Sequence, residues 1–356
     1  MWEKGENCGK IRLNRRGRVC LPIVWNPDSP DFKDFPDCCI FRKKPHISHL
    51  FSGQANPAPT RGNKCEIGVP DICYFPKRME TILSILNKTT DFLQKHGVPN
   101  AKLDSQLLLS HGLGLKRMDL FLNFDRPLQE KELPALRQIV ARRAKREPLQ
   151  HIIGNVSFRG HQIKCDKRAL VPRQETELIL DILKEKMDNI LDVGTGTGAI
   201  AIAAALELNA NVIACDISEE ALSLAKENVA FHKLEEKISL VKSDLLSNVP
   251  NNIKYDALLA NLPYIPLGDK NSLQPEVLGG DPHLALFGGT DGLELIRRLL
   301  NTCANYLKPN APVILEIASG QEKILQNESF AGIKFIEARK DYNEQTRFVV
   351  FRTKPN

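Results

Sequence analysis

The feature that most constrains this chain is an alternation that begins near Thr176 and continues to its C-terminal end. Apolar, strand-like runs at 189–193, 212–215, 238–241, 255–260 and 313–317 are interleaved with helical stretches at 177–187, 199–208, 219–232 and 292–307. Two more strand-like runs, 333–338 and 347–352, follow with no helix between them. Strands alternating with helices imply parallel strands joined by crossovers, and a closing pair without a helix implies an antiparallel edge. The expected fold class is therefore α/β, a doubly wound, mostly parallel sheet of seven strands.

The chain before this region reads differently. Residues 79–148 carry three apolar stripes at helical spacing: Ile82, Leu83, Ile85 and Leu86; Leu103 and Leu107 to Leu109; Leu133, Leu136, Ile139 and Val140. They predict a small bundle of about four helices, of a kind that more often recognises a partner than performs chemistry. Residues 149–171 switch to strand character around Arg159-Gly160, a hairpin turn signal, and predict a linking β-hairpin. Residues 172–356 form the third expected unit. Residues 1–78 hold 9 of the 22 prolines and little periodicity, and are expected to be a poorly ordered extension, with Met79 the start of the functional protein.

Composition narrows the function classes. No apolar run reaches the roughly 18–20 residues that span a bilayer, and the N-terminus does not read as a secretory signal, so a cytoplasmic protein, monomeric by default, is expected. The net charge of +6 resides entirely in residues 1–78, and the remainder is neutral. A polyanion-binding body is thus not expected, apart from one basic stripe, Arg142-Arg143-Ala144-Lys145-Arg146, that could touch phosphates. None of the nine cysteines pairs at zinc-ligand spacing, so no metal site is expected, and Cys165, Cys215 and Cys303 read as core residues.

Two motifs carry chemistry. Asp192-Val-Gly194-Thr195-Gly196-Thr197-Gly198 falls where the first strand of the alternating region meets its helix, the place where ligands bind in such sheets. Its glycines let a nucleoside-bearing cofactor approach the backbone. Asp216, 18 residues beyond Gly198, can accept from both ribose hydroxyls, and Asp244-Leu245 suits an adenine amino group and ring face. These features fit either a dinucleotide or S-adenosylmethionine. Asn261-Leu262-Pro263-Tyr264, after the fourth strand, favours the methyl donor, because a dehydrogenase has no use for it. An amide nitrogen is a poor nucleophile that cannot usefully be deprotonated near neutral pH. Two acceptors, the Asn261 side-chain oxygen and the Leu262 carbonyl, would hold its NH2 so that the lone pair faces the sulfonium methyl. Pro263 would aim that carbonyl, and Tyr264 would offer a ring face.

These motifs resemble those of class I methyltransferases that modify amide or amino nitrogens. Residues 79–356 are similar to one family among them, the peptide chain release factor glutamine methyltransferases (the HemK/PrmC family). The more specific likenesses are 146–154, Arg-Glu-Pro-Leu-Gln-His-Ile-Ile-Gly, and 170–177, Leu-Val-Pro-Arg-Gln-Glu-Thr-Glu; 281–292 and 315–321 match as well. The resemblance implies S-adenosylmethionine as cofactor and, as partner and substrate, a class I release factor methylated on the glutamine of its Gly-Gly-Gln loop. It further implies that Gly194 to Gly198, Asp216, Leu245 and Asn261 contact the cofactor. Asn261 to Tyr264 would hold the glutamine, and Pro172, Arg173 and Glu175 to Glu177 would lie near the mouth of the site.

The chain departs from the family pattern at Leu262, where proline is usual, and in its 78-residue extension. Ala318-Ser319 also differs from the glycine usual after Leu-Glu-Ile. Asn-Leu-Pro-Tyr occurs too in rRNA adenine dimethyltransferases, which keeps an adenine N6-methyltransferase acting on RNA or DNA as the alternative reading.

Overall fold

The computed structural model describes residues 80–183 and 186–355. The expectations for residues 1–78, and for Met79 as a starting point, lie outside the described residues.

The helical region comprises α1 (Ile82–Lys95), α2 (Ala101–Leu113), α3 (Arg117–Leu122), α4 (Leu133–Ala144) and α5 (Leu149–Ile153). Thr81 caps α1 by accepting from the Ser84 backbone N–H. The apolar stripes meet in two buried clusters, one around Leu93, Leu108, Val140 and Ile152, the other around Ile82, Leu86, Leu109 and Leu136. The helix α5 corrects the expectation that strand character begins at residue 149. A short apolar run is ambiguous by periodicity, and this one is bounded by Pro148 and by Gly154 at a left-handed φ. The hairpin is confined to β1 (Asn155–Phe158) and β2 (His161–Lys164). Arg159 and Gly160 both take positive φ, the geometry of a two-residue hairpin turn.

The main sheet has seven strands: β3 (Asn189–Val193), β4 (Asn211–Asp216), β5 (Ile238–Lys242), β6 (Ala257–Ala260), β7 (Pro312–Glu316), β8 (Ile333–Lys340) and β9 (Thr346–Thr353). Their order is β5-β4-β3-β6-β7-β9-β8, parallel from β5 to β7 and antiparallel where β9 pairs with β7 and β8. The expected fold class is the one observed. Successive residues of a strand face opposite sides, and the core divides accordingly. Ile190, Leu259, Ile314 and Val350 pack on α6 (Ala199–Glu207), while Leu191, Leu258, Val313 and Phe351 pack with Leu299 and Leu300 of α9 (Glu294–Thr302) on the other side. The remaining helices are α7 (Glu219–His232), α8 (Pro275–Gly280) and α10 (Gln321–Asn327). Neither α8 nor α10 was expected from periodicity. Among the described residues no helix is long and apolar enough to cross a membrane.

Among the described residues of 177–187 the expected helix is not formed. Glu175–Ile179 is a 3₁₀ turn followed by further turns. Arg159 Nη1 donates to the Glu177 carbonyl at 2.7 Å, occupying an acceptor that an α-helix would use, and Asp181 N–H turns back to Leu178 instead.

The basic stripe is also corrected. Arg143 is buried and donates to Asp104 (2.7 Å) and Glu276 (2.8 Å); Arg146 bonds Glu276 and the Gly97 carbonyl; Arg142 pairs with Glu147. Three of its four cations are therefore committed to protein acceptors rather than turned toward phosphates. Of the stripe's cations only Lys145 is exposed.

Candidate active site

A cavity of about 240 Å³ opens at the carboxyl ends of the central strands. Its floor is the loop between β3 and α6. Gly194 and Thr195 N–H groups both donate to the Cys215 carbonyl, and Gly196 N–H donates to Asp216 Oδ2 at 2.9 Å. These bonds tie the loop to the end of the neighbouring strand β4. Gly194 lies at φ 77°, and a Cβ there would sit 2.9 Å from Leu262 Cδ2. The absence of a side chain thus lets the turn after β6 close onto the loop.

The two acidic residues of this region occupy different places. Asp216 is on the cavity wall, each oxygen accepting one backbone N–H, from Gly196 and from Ser218. A carboxylate retains further acceptor capacity beyond two bonds. Burial raises its pKa above the usual value. Asp192 is fully buried behind the loop and not on the wall; Thr195 donates to its Oδ2 at 2.6 Å while Oδ1 has no partner. Burial pushes its carboxyl up to about 7, against the Thr195 bond.

Thr195, Gly196 and Thr197 line the cavity with Gly194, whereas Gly198 turns the chain into α6. Asp244 and Leu245 are also on the wall, Asp244 bonded to Arg298 at 2.7 Å and Leu245 held at φ 50°. Pro172 and Arg173 stand on the wall too; Arg173 bonds Asp281, whose other oxygen accepts from Val171 N–H. Sequence reasoning missed Phe158 from the hairpin, Ile217 and Leu284, all of which line the same cavity. Ile217 was the most legible of these, an apolar residue directly after the strand-end acid.

The Asn261–Tyr264 segment follows the end of β6. Asn261, Leu262 and Pro263 line the cavity. Asn261 Nδ2 donates to Thr176 Oγ1 at 3.1 Å, and Thr176 Oγ1 donates to Glu316 Oε2 at 2.6 Å. With its nitrogen turned to Thr176, the amide's oxygen is the end left to accept from a ligand. Among the described residues the Leu262 carbonyl accepts no backbone bond. Tyr264 departs from expectation. It is absent from the cavity wall: half-buried, it packs against the core and its hydroxyl donates to Glu316 Oε1 at 3.1 Å. The turn is braced from behind: Gln321 Nε2 donates to the Tyr264 carbonyl at 2.9 Å. Gly292 lies so close that a Cβ would meet that carbonyl at 2.1 Å.

The sheet order and the strand-end loop define the class: the protein is a methyltransferase with a Rossmann-like fold, and residues 173–274 match the family described as "Methyltransferase small domain". Residues 84–154 match the "PrmC N-terminal domain". Among the curated relatives are several that carry the name release factor glutamine methyltransferase. That of Geobacter sulfurreducens is 39% identical over 68% of this chain and 85% of its own length. The corresponding figures are 37%, 74% and 96% for Deinococcus radiodurans, and 35%, 73% and 92% for Rhodopirellula baltica. The chain belongs to the release factor glutamine methyltransferase family.

Proposed function

We propose that the protein transfers a methyl group from S-adenosylmethionine to the side-chain amide nitrogen (N5) of the glutamine in the Gly-Gly-Gln loop of class I peptide chain release factors. The observation that carries this reading is the Asn261 amide, anchored through its nitrogen on Thr176 and leaving its oxygen to accept. The names of the relatives support the substrate.

The residues present fit the cofactor. Ile217 and Leu245 supply apolar wall for a nucleoside base, the Asp216 carboxylate is an acceptor for ribose hydroxyls, and Gly194 and Gly196 on the cavity floor carry no side chain to keep a ligand from the backbone. When bound, S-adenosylmethionine supplies an electrophilic methyl group on a sulfonium. The chain's own residues do the rest by positioning. Asn261 Oδ1 and the Leu262 carbonyl accept the two N–H bonds of the glutamine amide, which orients its nitrogen lone pair and stabilises the positive charge that develops there. Pro263 shapes the turn, and Tyr264, bonded to Glu316, holds it from the core side. Proton abstraction is not needed before attack, since the methylated amide sheds its extra proton easily. Pro172 and Arg173 shape the mouth.

On this reading residues 79–148 recognise the release factor, 149–171 link, and 172–356 carry out transfer, with the protein acting as a monomer in the cytoplasm. Nucleic acid is not the main substrate, in keeping with the acidic partners of Arg142, Arg143 and Arg146.

The test is mass spectrometry of a class I release factor after incubation with enzyme and S-adenosylmethionine. One methyl on the Gly-Gly-Gln glutamine is expected, and Asn261→Ala should lower turnover roughly 100-fold or more, the scale for loss of a preorganised polar contact. Methyl appearing on adenine of RNA or DNA, with none on the factor, would sink the proposal.

A further inference from the structure

A terminal amide has two nearly equivalent orientations about its last torsion. In one, Asn261 presents oxygen to the cavity; in the other, nitrogen. Only the first can accept from a glutamine NH2, so something must choose between them. The choice is readable in the bonds around Thr176. A hydroxyl has one proton to give, and Thr176 gives it to Glu316 Oε2 at 2.6 Å. Glu316 lies at the end of β7, 2% exposed, and its second oxygen is taken by the Tyr264 hydroxyl. Having spent its proton, Thr176 Oγ1 can only accept, and Asn261 Nδ2 donates to it. Rotating the amide would set two oxygens at hydrogen-bond distance with no proton between them, which is costly.

We infer that Thr176 and Glu316 are positioning residues that hold the Asn261 amide with its oxygen toward the cavity, and so select an acceptor group that donates N–H over one that offers oxygen. The inference rests on the proposed role of Asn261. It assigns a function to the middle of the Glu175–Glu177 stretch and to a strand-end carboxylate that sequence reasoning left without one. It also gives the selectivity a chemical basis: a glutamate in place of the substrate glutamine would set its carboxylate against Asn261 Oδ1 and the Leu262 carbonyl.

The test combines Thr176→Val, Thr176→Ser and Asn261→Ala, with turnover on the release factor and two binding measurements by calorimetry. One is affinity for S-adenosylmethionine. The other is the affinity ratio between the factor and its variant carrying glutamate at the Gly-Gly-Gln position. Thr176→Val should lower kcat about tenfold or more, the scale of a lost buried hydrogen bond, and narrow the glutamine-to-glutamate ratio while cofactor affinity holds. Thr176→Ser should recover both, and Thr176→Val should add nothing in the Asn261→Ala background. Full activity of Thr176→Val beside an inactive Asn261→Ala overturns this inference and leaves the proposed function standing. Full activity of Asn261→Ala overturns the reading beneath it. Should Thr176→Val melt too low to assay, Glu316→Gln serves instead. Its amide nitrogen can donate to Thr176, releasing the threonine proton toward Asn261, so it should reproduce the loss in kcat and the narrowed ratio; wild-type values for both would overturn the inference.

Discussion

Arg143 and Glu276 meet across 133 residues of sequence, with Nη2 donating to Oε1 at 2.8 Å and both side chains buried. The same guanidinium bonds Asp104, so one cation on α4 joins α2 to the short helix α8 that follows the Asn261–Tyr264 turn. Burial works against the Glu276 charge, but the bonds from Arg146 and Arg143 prevail and hold its carboxyl below the usual range. Replacing Arg143 by Met would strand the buried Asp104 carboxylate and leave Glu276 with Arg146 alone. Removal of one partner from a buried pair costs about 3–5 kcal/mol, and a loss of that order is expected in chemical denaturation at neutral pH. The difference from wild type should shrink as pH falls, because the Glu276 carboxyl, which the two arginines hold below the usual range, gives up that stabilisation on protonation. A loss near zero at neutral pH would show that the network contributes nothing net.

Gly194→Ala should weaken S-adenosylmethionine binding at least tenfold and lower the melting temperature. The left-handed conformation alone costs an L-residue about 1–2 kcal/mol, and the new methyl would also press on Leu262 Cδ2. Calorimetric titration and thermal melting check the two parts. Unaltered cofactor affinity would mean that the loop is not the cofactor's bed.

Leu262→Pro restores the residue usual in the family and keeps the backbone carbonyl. Leu262 is, however, 5% exposed and packed in the core beneath the sheet's second face. Loss of part of such a side chain costs about 1–3 kcal/mol, so the variant should be less stable while kcat per folded molecule changes little. A large fall in kcat with stability intact would place the function of this position in its side chain and not its carbonyl.

The sheet was legible because its central strands are mostly apolar and alternate with helical stretches; β3, β6 and β7 are almost wholly buried. What escaped reading depends on contacts distant in sequence. The turn at Glu175–Ile179 displaces the expected helix because Arg159, 18 residues away, takes the Glu177 carbonyl. The Thr176–Glu316 bond spans 140 residues, and no local pattern announces it. The motif Asn261–Tyr264 specified which groups gather but not which way the phenol turns, since that depends on Glu316. The two strand-end acids likewise looked alike in sequence. Asp192 pairs in register with Ala214, two residues short of Asp216, and that offset separates a carboxyl under the loop from one on the wall.

That offset has a consequence for pH. The Asp192 carboxyl, pushed up to about 7 by burial, binds its proton more tightly in the folded chain than in the unfolded one. A group of this kind contributes stability that is full below its unfolded value of about 4 and is lost as pH rises through its folded value. Asp192→Asn cannot ionise, yet its side-chain oxygen can still accept from Thr195. The melting temperature of Asp192→Asn relative to wild type should therefore climb between pH 5 and pH 8, because only the wild type comes to carry an uncompensated buried charge. Melting curves at several pH values decide the matter. A constant offset between the two proteins would mean that Asp192 is ionised in the folded chain throughout this range, as it is in the unfolded one, with its Oδ1 solvated or bonded in solution.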